Sequence, residues 1–194
     1  MVRYYSPAFD NPYPNSAWRE ISSYRYLSDL VLLRFGDPTK LEPLPRAAHY
    51  TVAKPYSVSF KLDGAEQTIT VPAGLITDLV SVPSWARSVV GRVGPHLEAC
   101  IVHDFLYVAW QDLTEFGTGG DLADNEQSRR MQLFSDDLLR AGLADLNMPG
   151  WRKAAIYRAV RIAGKSRFLG REQRRFVHPD SLPLGSENPG PAVA

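Results

Sequence analysis

Pro95-His-Leu-Glu-Ala-Cys-Ile-Val-His103-Asp104-Phe-Leu-Tyr107-Val-Ala-Trp110 places a histidine, a carboxylate and a phenol inside an otherwise apolar run. Proline suits the first helical position, and Leu97, Ala99, Cys100, Ile101, Leu106 and Val108 are helix-compatible, so the stretch predicts a mostly buried helix. On it His103 and Tyr107 are four apart and share a face, while Asp104 projects about 100° away. A buried aspartate costs several kcal/mol, on the order of a lost ion pair, unless it is paired, hydrogen-bonded or bound to a cation. The plain reading is a structural one, with Asp104 accepting bonds from a loop and His103 a satisfied core histidine.

Upstream of this helix the period is that of strands. Tyr56, Val58, Phe60 and Leu62 alternate with polar residues, Asp63-Gly64 turns the chain, and Gln67 to Val71 alternates again, which predicts an antiparallel hairpin. Tyr24 to Phe35 suggests one or two further strands, and the Pro-rich stretch 37–55 a long loop. Pro83 is expected to open a short helix through Trp85 to Val90. Downstream, Asp121 is expected to cap a helix that carries Asp124 in its first turn and runs to Gly142, with Met131, Phe134, Leu138 and Leu139 inward. A last helix is expected from Trp151 to about Gly164, burying Trp151, Ala155, Ile156, Ala159, Val160 and Ala163 and exposing Arg152, Lys153, Arg158 and Arg161. The expected class is therefore α+β: a small antiparallel sheet leading into three main helices.

The chain of 194 residues suits one core. We expect an N-terminal arm over residues 1–20, one domain over 21–175, and a C-terminal tail over 176–194, both ends being polar and Pro-rich segments of the kind that order against neighbours. The hydrophobic share of 44% and charged share of 22% fit a soluble globular protein. No run approaches a membrane span, and the first residues lack the apolar core of a signal peptide, so synthesis in the cytoplasm is expected. A single cysteine, Cys100, excludes an internal disulfide. The net charge of +1 argues against a general nucleic-acid binder, yet residues 151–175 hold nine Arg or Lys against one acid, Glu172. Arg152, Lys153, Arg158 and Arg161 would mostly be a solvated helix face, or else would meet anionic lipid headgroups.

Three aspartates can converge on the histidine. Two helices joined by a short loop pack antiparallel, so Asp124 can return beside His103 and fix its tautomer, leaving the other ring nitrogen to take a proton from water. Asp78 and Asp104, with the Leu79 carbonyl, are the hard oxygen donors that calcium prefers. Gly117-Thr-Gly-Gly120 lacks the lysine of a phosphate loop and reads as flexible, and Ser81 has no nucleophile-elbow setting.

Ala99-Cys-Ile-Val-His-Asp-Phe-Leu-Tyr107 resembles the catalytic helix of phospholipase A(2), above all its prokaryotic and fungal branch, and Asp78-Leu79 resembles the pair that supplies that branch with a carboxylate and a carbonyl for calcium. The resemblance implies His103 as base, Asp124 as its partner, Tyr107 beside them, and Asp104, Asp78 and the Leu79 carbonyl as calcium ligands. The phospholipases are secreted and disulfide-braced, whereas this chain has one cysteine. A longer resemblance runs from about residue 56 to 165. Val71-Pro-Ala-Gly-Leu-Ile-Thr-Asp78-Leu-Val-Ser-Val-Pro83, His103-Asp-Phe-Leu-Tyr107, Ala123-Asp124 and Tyr157-Arg-Ala-Val-Arg161 are similar to an uncharacterised domain family of bacteria and tailed phages. It implies a virion setting, with other virion proteins met through the two ends. The expectation is a virion-associated hydrolase of lipid or another ester. Its alternatives are a non-catalytic virion component braced by the same residues, and a metal-dependent phosphohydrolase, which would need more histidines than His49 and His96 supply.

Overall fold

The computed structural model describes residues 3, 5–34, 50–77, 94–115, 125–168 and 176–182. Two three-stranded antiparallel sheets come first. One orders β1 (Ile21–Tyr26), β4 (Tyr56–Leu62) and β5 (Ala65–Val71) with β4 in the middle; the other orders β2 (Leu32–Arg34), β3 (Tyr50–Val52) and β6 (Ile76–Thr77) with β3 in the middle. The β4–β5 hairpin is the one expected, in register from Tyr56 opposite Val71 to Leu62 opposite Ala65. Its two-residue turn needs left-handed backbone at both positions, and Asp63 and Gly64 have φ of 50° and 86°. Asp63 also accepts the backbone N–H groups of Arg19 and Glu20, both at 2.9 Å, which hold its carboxyl below the usual carboxylate range. The strand β3 emerges at the end of the stretch expected to be loop.

Three helices follow: α1 (Leu97–Glu115), α2 (Glu126–Ala144) and α3 (Gly150–Phe168). The cap of α2 is Asn125 rather than Asp121, its side chain accepting the Ser128 N–H at 2.8 Å. Asparagine caps as well as aspartate does, so composition alone did not choose between them. Neither glycine expected as a stop ends its helix. A Cβ at Gly142 would stand 3.0 Å from the Ala99 Cβ and 3.1 Å from the Tyr24 ring, and one at Gly164 would collide with the Tyr107 hydroxyl. Both glycines are set by close approach, not by chain reversal. Trp151, expected inside, is 61% exposed. The inward face of α3 carries Ile156, Ala159 and Val160, and Trp151 stands about 140° around the helix from Ile156.

The core lies between the larger sheet and α1 and α2, with Tyr56, Val58, Phe60, Ile101, Phe105 and Phe134 nearly inaccessible. Residues 5–20, part of the expected arm, contain no helix or strand but are held on this core by their rings. Phe9 meets Phe105 edge-on at 5.3 Å, Tyr13 meets Trp110 at 5.7 Å, and Trp18 meets Phe134 at 5.4 Å. Aromatic residues bury large areas in few contacts, and in this segment they outweigh its prolines. The start of the expected tail is likewise fastened: Phe176 and Val177 are buried, Phe176 bridges to Leu75, and a 3-10 turn (Pro179–Ser181) follows. No described helix is long and apolar enough to cross a membrane.

Candidate functional site

Helix α1 presents His103 and Tyr107 toward α2, as their four-residue spacing requires, and their rings lie 4.2 Å apart between centroids. The carboxylate that receives both is Asp136. His103 Nε2 stands 2.9 Å from Asp136 Oδ1, and the Tyr107 hydroxyl donates to the same oxygen at 3.0 Å. The other oxygen of Asp136 accepts from the Arg161 guanidinium of α3, also at 3.0 Å. Asp136 is wholly buried and His103 is 4% exposed. One carboxylate thus ties all three helices together.

Burial by itself would lower the pKa of His103, but the carboxylates of Asp104 and Asp136 outweigh it and hold the value above the ordinary histidine range. Tyr107 is kept un-ionised first by burial and then by the charge of Asp136. With the proton on Nε2 donated to Asp136, Nδ1 is the basic nitrogen. It faces Asp104 Oδ1 at 4.0 Å, beyond direct hydrogen-bond reach.

Asp104 is the outer carboxylate of the pair. Its side chain is 16% exposed, and it accepts the Thr77 hydroxyl at 3.0 Å from the end of β6. Next in the chain after Thr77 stand Asp78 and Leu79, the other expected calcium donors, which lie outside the described residues. Asp124, the expected partner of His103, lies outside them as well, as do Ser81, the helix expected after Pro83, Gly117 to Gly120, and His49. Among the described residues no group of three or more His, Cys, Asp or Glu side chains could hold a metal ion. Asp104 alone falls short of the six to eight oxygens calcium takes.

Two members of the cluster escaped the sequence. Asp136 sits in Ser135-Asp136-Asp137, a pair of acids that reads as a solvated helix face. A signal was available, because Asp136, Leu139 and Leu143 fall at i, i+3 and i+7, and an acid on an apolar stripe needs a partner. Arg161 was read as part of a basic surface. Of the four cations expected there, Arg158 and Arg161 are exposed and Arg152 and Lys153 half-buried: Arg161 also holds Asp136, Lys153 donates to the Ala144 carbonyl at the end of α2, and the Arg152 guanidinium lies over the Trp151 ring at 5.6 Å.

No curated protein and no solved structure matches the chain. A family described as "Protein of unknown function (DUF1353)" matches residues 50–160, which run from β3 through most of α3 and take in Thr77, His103, Asp104, Tyr107 and Asp136. That span is more than half of the 194 residues, and the chain therefore belongs to the DUF1353 family.

Proposed function

We propose that this chain is a calcium-assisted ester hydrolase of the phospholipase kind, virion-associated, acting on lipid or another ester during passage through the host envelope. His103 is its base, Asp136 the residue that positions the base, and Asp104 a ligand of the cation. The observation that carries the reading is the shared oxygen: His103 Nε2 and the Tyr107 hydroxyl both end on Asp136 Oδ1, which fixes the ring and turns Nδ1 toward Asp104. In such a pair the carboxylate selects the tautomer and favours the imidazolium that forms during reaction.

The step balances with this chain's own groups. Nδ1 takes a proton from water, and the hydroxide adds to the ester carbonyl carbon. The imidazolium returns the proton to the alkoxide as the carbon–oxygen bond breaks. Calcium, when bound, would neutralise Asp104 and polarise the carbonyl. Asp124, Asp78 and the Leu79 carbonyl stay in the proposal as the expected neighbours of this centre.

The low exposure of His103 favours a second reading, a non-catalytic virion component in which the same bonds brace the helices. Fatty-acid release from phosphatidylglycerol vesicles, with and without a calcium chelator, separates the two. The enzyme reading expects release that the chelator abolishes and that falls about 100-fold or more in His103→Gln and in Asp104→Asn. Wild-type protein that releases nothing in calcium, or variants that keep the full rate, would leave the brace.

A further inference from the structure

Helix α3 carries a second exposed feature on the face away from its neighbours. Trp151 is 61% exposed and Ile162 is 74% exposed. They are eleven residues apart, about three turns, so at about 100° per residue they fall on one stripe, with exposed Arg158 between them. The opposite face of the same helix is the packed one, with Ile156, Ala159 and Val160 inside. Over its 19 residues, Gly-Trp-Arg-Lys-Ala-Ala-Ile-Tyr-Arg-Ala-Val-Arg-Ile-Ala-Gly-Lys-Ser-Arg-Phe, α3 has six Arg or Lys and no acid. One of the six, Arg161, is neutralised by Asp136.

We propose that this outer face of α3 seats the protein on an anionic lipid bilayer. Trp151 and Ile162 enter the headgroup boundary, and Arg158, on a helix whose sequence is net positive, meets the lipid phosphates. A bilayer rewards both components at once, apolar side chains in the acyl boundary and cations among anionic headgroups. Nucleic acid would reward the cations but gives a buried isoleucine nothing to pack on. A second copy of the chain is a poor fit, because two such side chains expose on the order of 300 Å² while a stable interface takes about 800 Å² per partner. Arg161 is exposed too, but its charge is already paired with Asp136 and adds little to the seat. The seat asks for no chemistry at His103, and so goes beyond the hydrolytic reading.

Co-sedimentation of the full chain with vesicles tests it, in the presence of a calcium chelator so that binding is read without hydrolysis. Vesicles of phosphatidylglycerol and phosphatidylcholine in equal parts should bind the protein and pure phosphatidylcholine should not. Trp151→Ser, Ile162→Asp and Arg158→Glu, all at exposed positions and checked for folding by circular dichroism, should each weaken binding about tenfold. Arg25→Glu, exposed on β1, should leave binding unchanged. The seat is refuted by absence of binding to the anionic vesicles, by variants that bind as wild type does, or by a preference for duplex DNA over the vesicles. Binding here, together with no fatty-acid release when calcium is supplied, would count against the hydrolase alone. Release with no loss of binding in the three variants would count against the seat alone.

Discussion

The three helices meet along two seams made of opposite materials. In one, Ala99 and Cys100 of α1 meet Leu139 and Leu143 of α2 and Ile156 and Val160 of α3, a wholly apolar join. In the other, one turn further along α1, His103 and Tyr107 meet Asp136 and Arg161, a join of ionised and polar groups buried at all but its Arg161 end. The apolar seam gains from every atom it hides. The polar seam must first strip water from a carboxylate and an imidazole, and well-packed apolar residues in such places are often no less stable. Holding the helices together therefore does not explain why this seam is ionic, whereas the base role proposed for His103 would.

The largest effect expected is from Asp136→Ala, which strands His103, Tyr107 and Arg161 together: about 3–5 kcal/mol lost in chemical denaturation. Were the loss below about 1 kcal/mol, the two seams would be equivalent in energy and the contrast would fail. In the apolar seam Ile156→Ala should cost about 2–4 kcal/mol, by lost transfer and a residual cavity, with no dependence on pH.

Gly164→Ala sharpens the contrast, since the new methyl meets the Tyr107 hydroxyl rather than apolar carbon. Overpacking of this kind costs about 1–3 kcal/mol. The cost should shrink in a Tyr107→Phe background, so that the double-mutant cycle reads the hydroxyl directly. The smallest effect expected is one of pH. His103 is raised above its unfolded value of about 6.5, so its contribution is complete below that pH and is lost as pH rises through the folded value. In calcium-free buffer wild-type stability should decline across that window, and His103→Gln should remove that decline.

The hairpin was legible because a period of two and an Asp-Gly turn leave little choice of register. His103, Asp104 and Tyr107 were legible because ionisable groups stood out in an apolar helix. Asp136 was not, since which flank of α2 is covered depends on α3, and nothing local to Ser135-Asp136-Asp137 encodes the arrival of Arg161. Trp151 misled for the same reason in reverse: an aromatic residue at a helix start looks like core until the neighbouring surfaces are known. The N-terminal stretch was misjudged because its prolines forbid regular structure without forbidding burial, and Phe9, Tyr13 and Trp18 find their places one ring at a time.

Near the two ends of the chain, Tyr5 N–H donates to the Phe176 carbonyl at 3.1 Å and His178 N–H to the Arg3 carbonyl at 2.7 Å. Arg3 pairs with Asp180, and Gly74 lies so close to Val177 that only a glycine leaves room. This clasp joins segments more than 170 residues apart, so closing it requires a very long loop. On a ribosome, residues 3 and 5 would therefore wait for the whole helical part to be synthesised. Tyr5, made long before its partner Phe176, would be among the last side chains to settle.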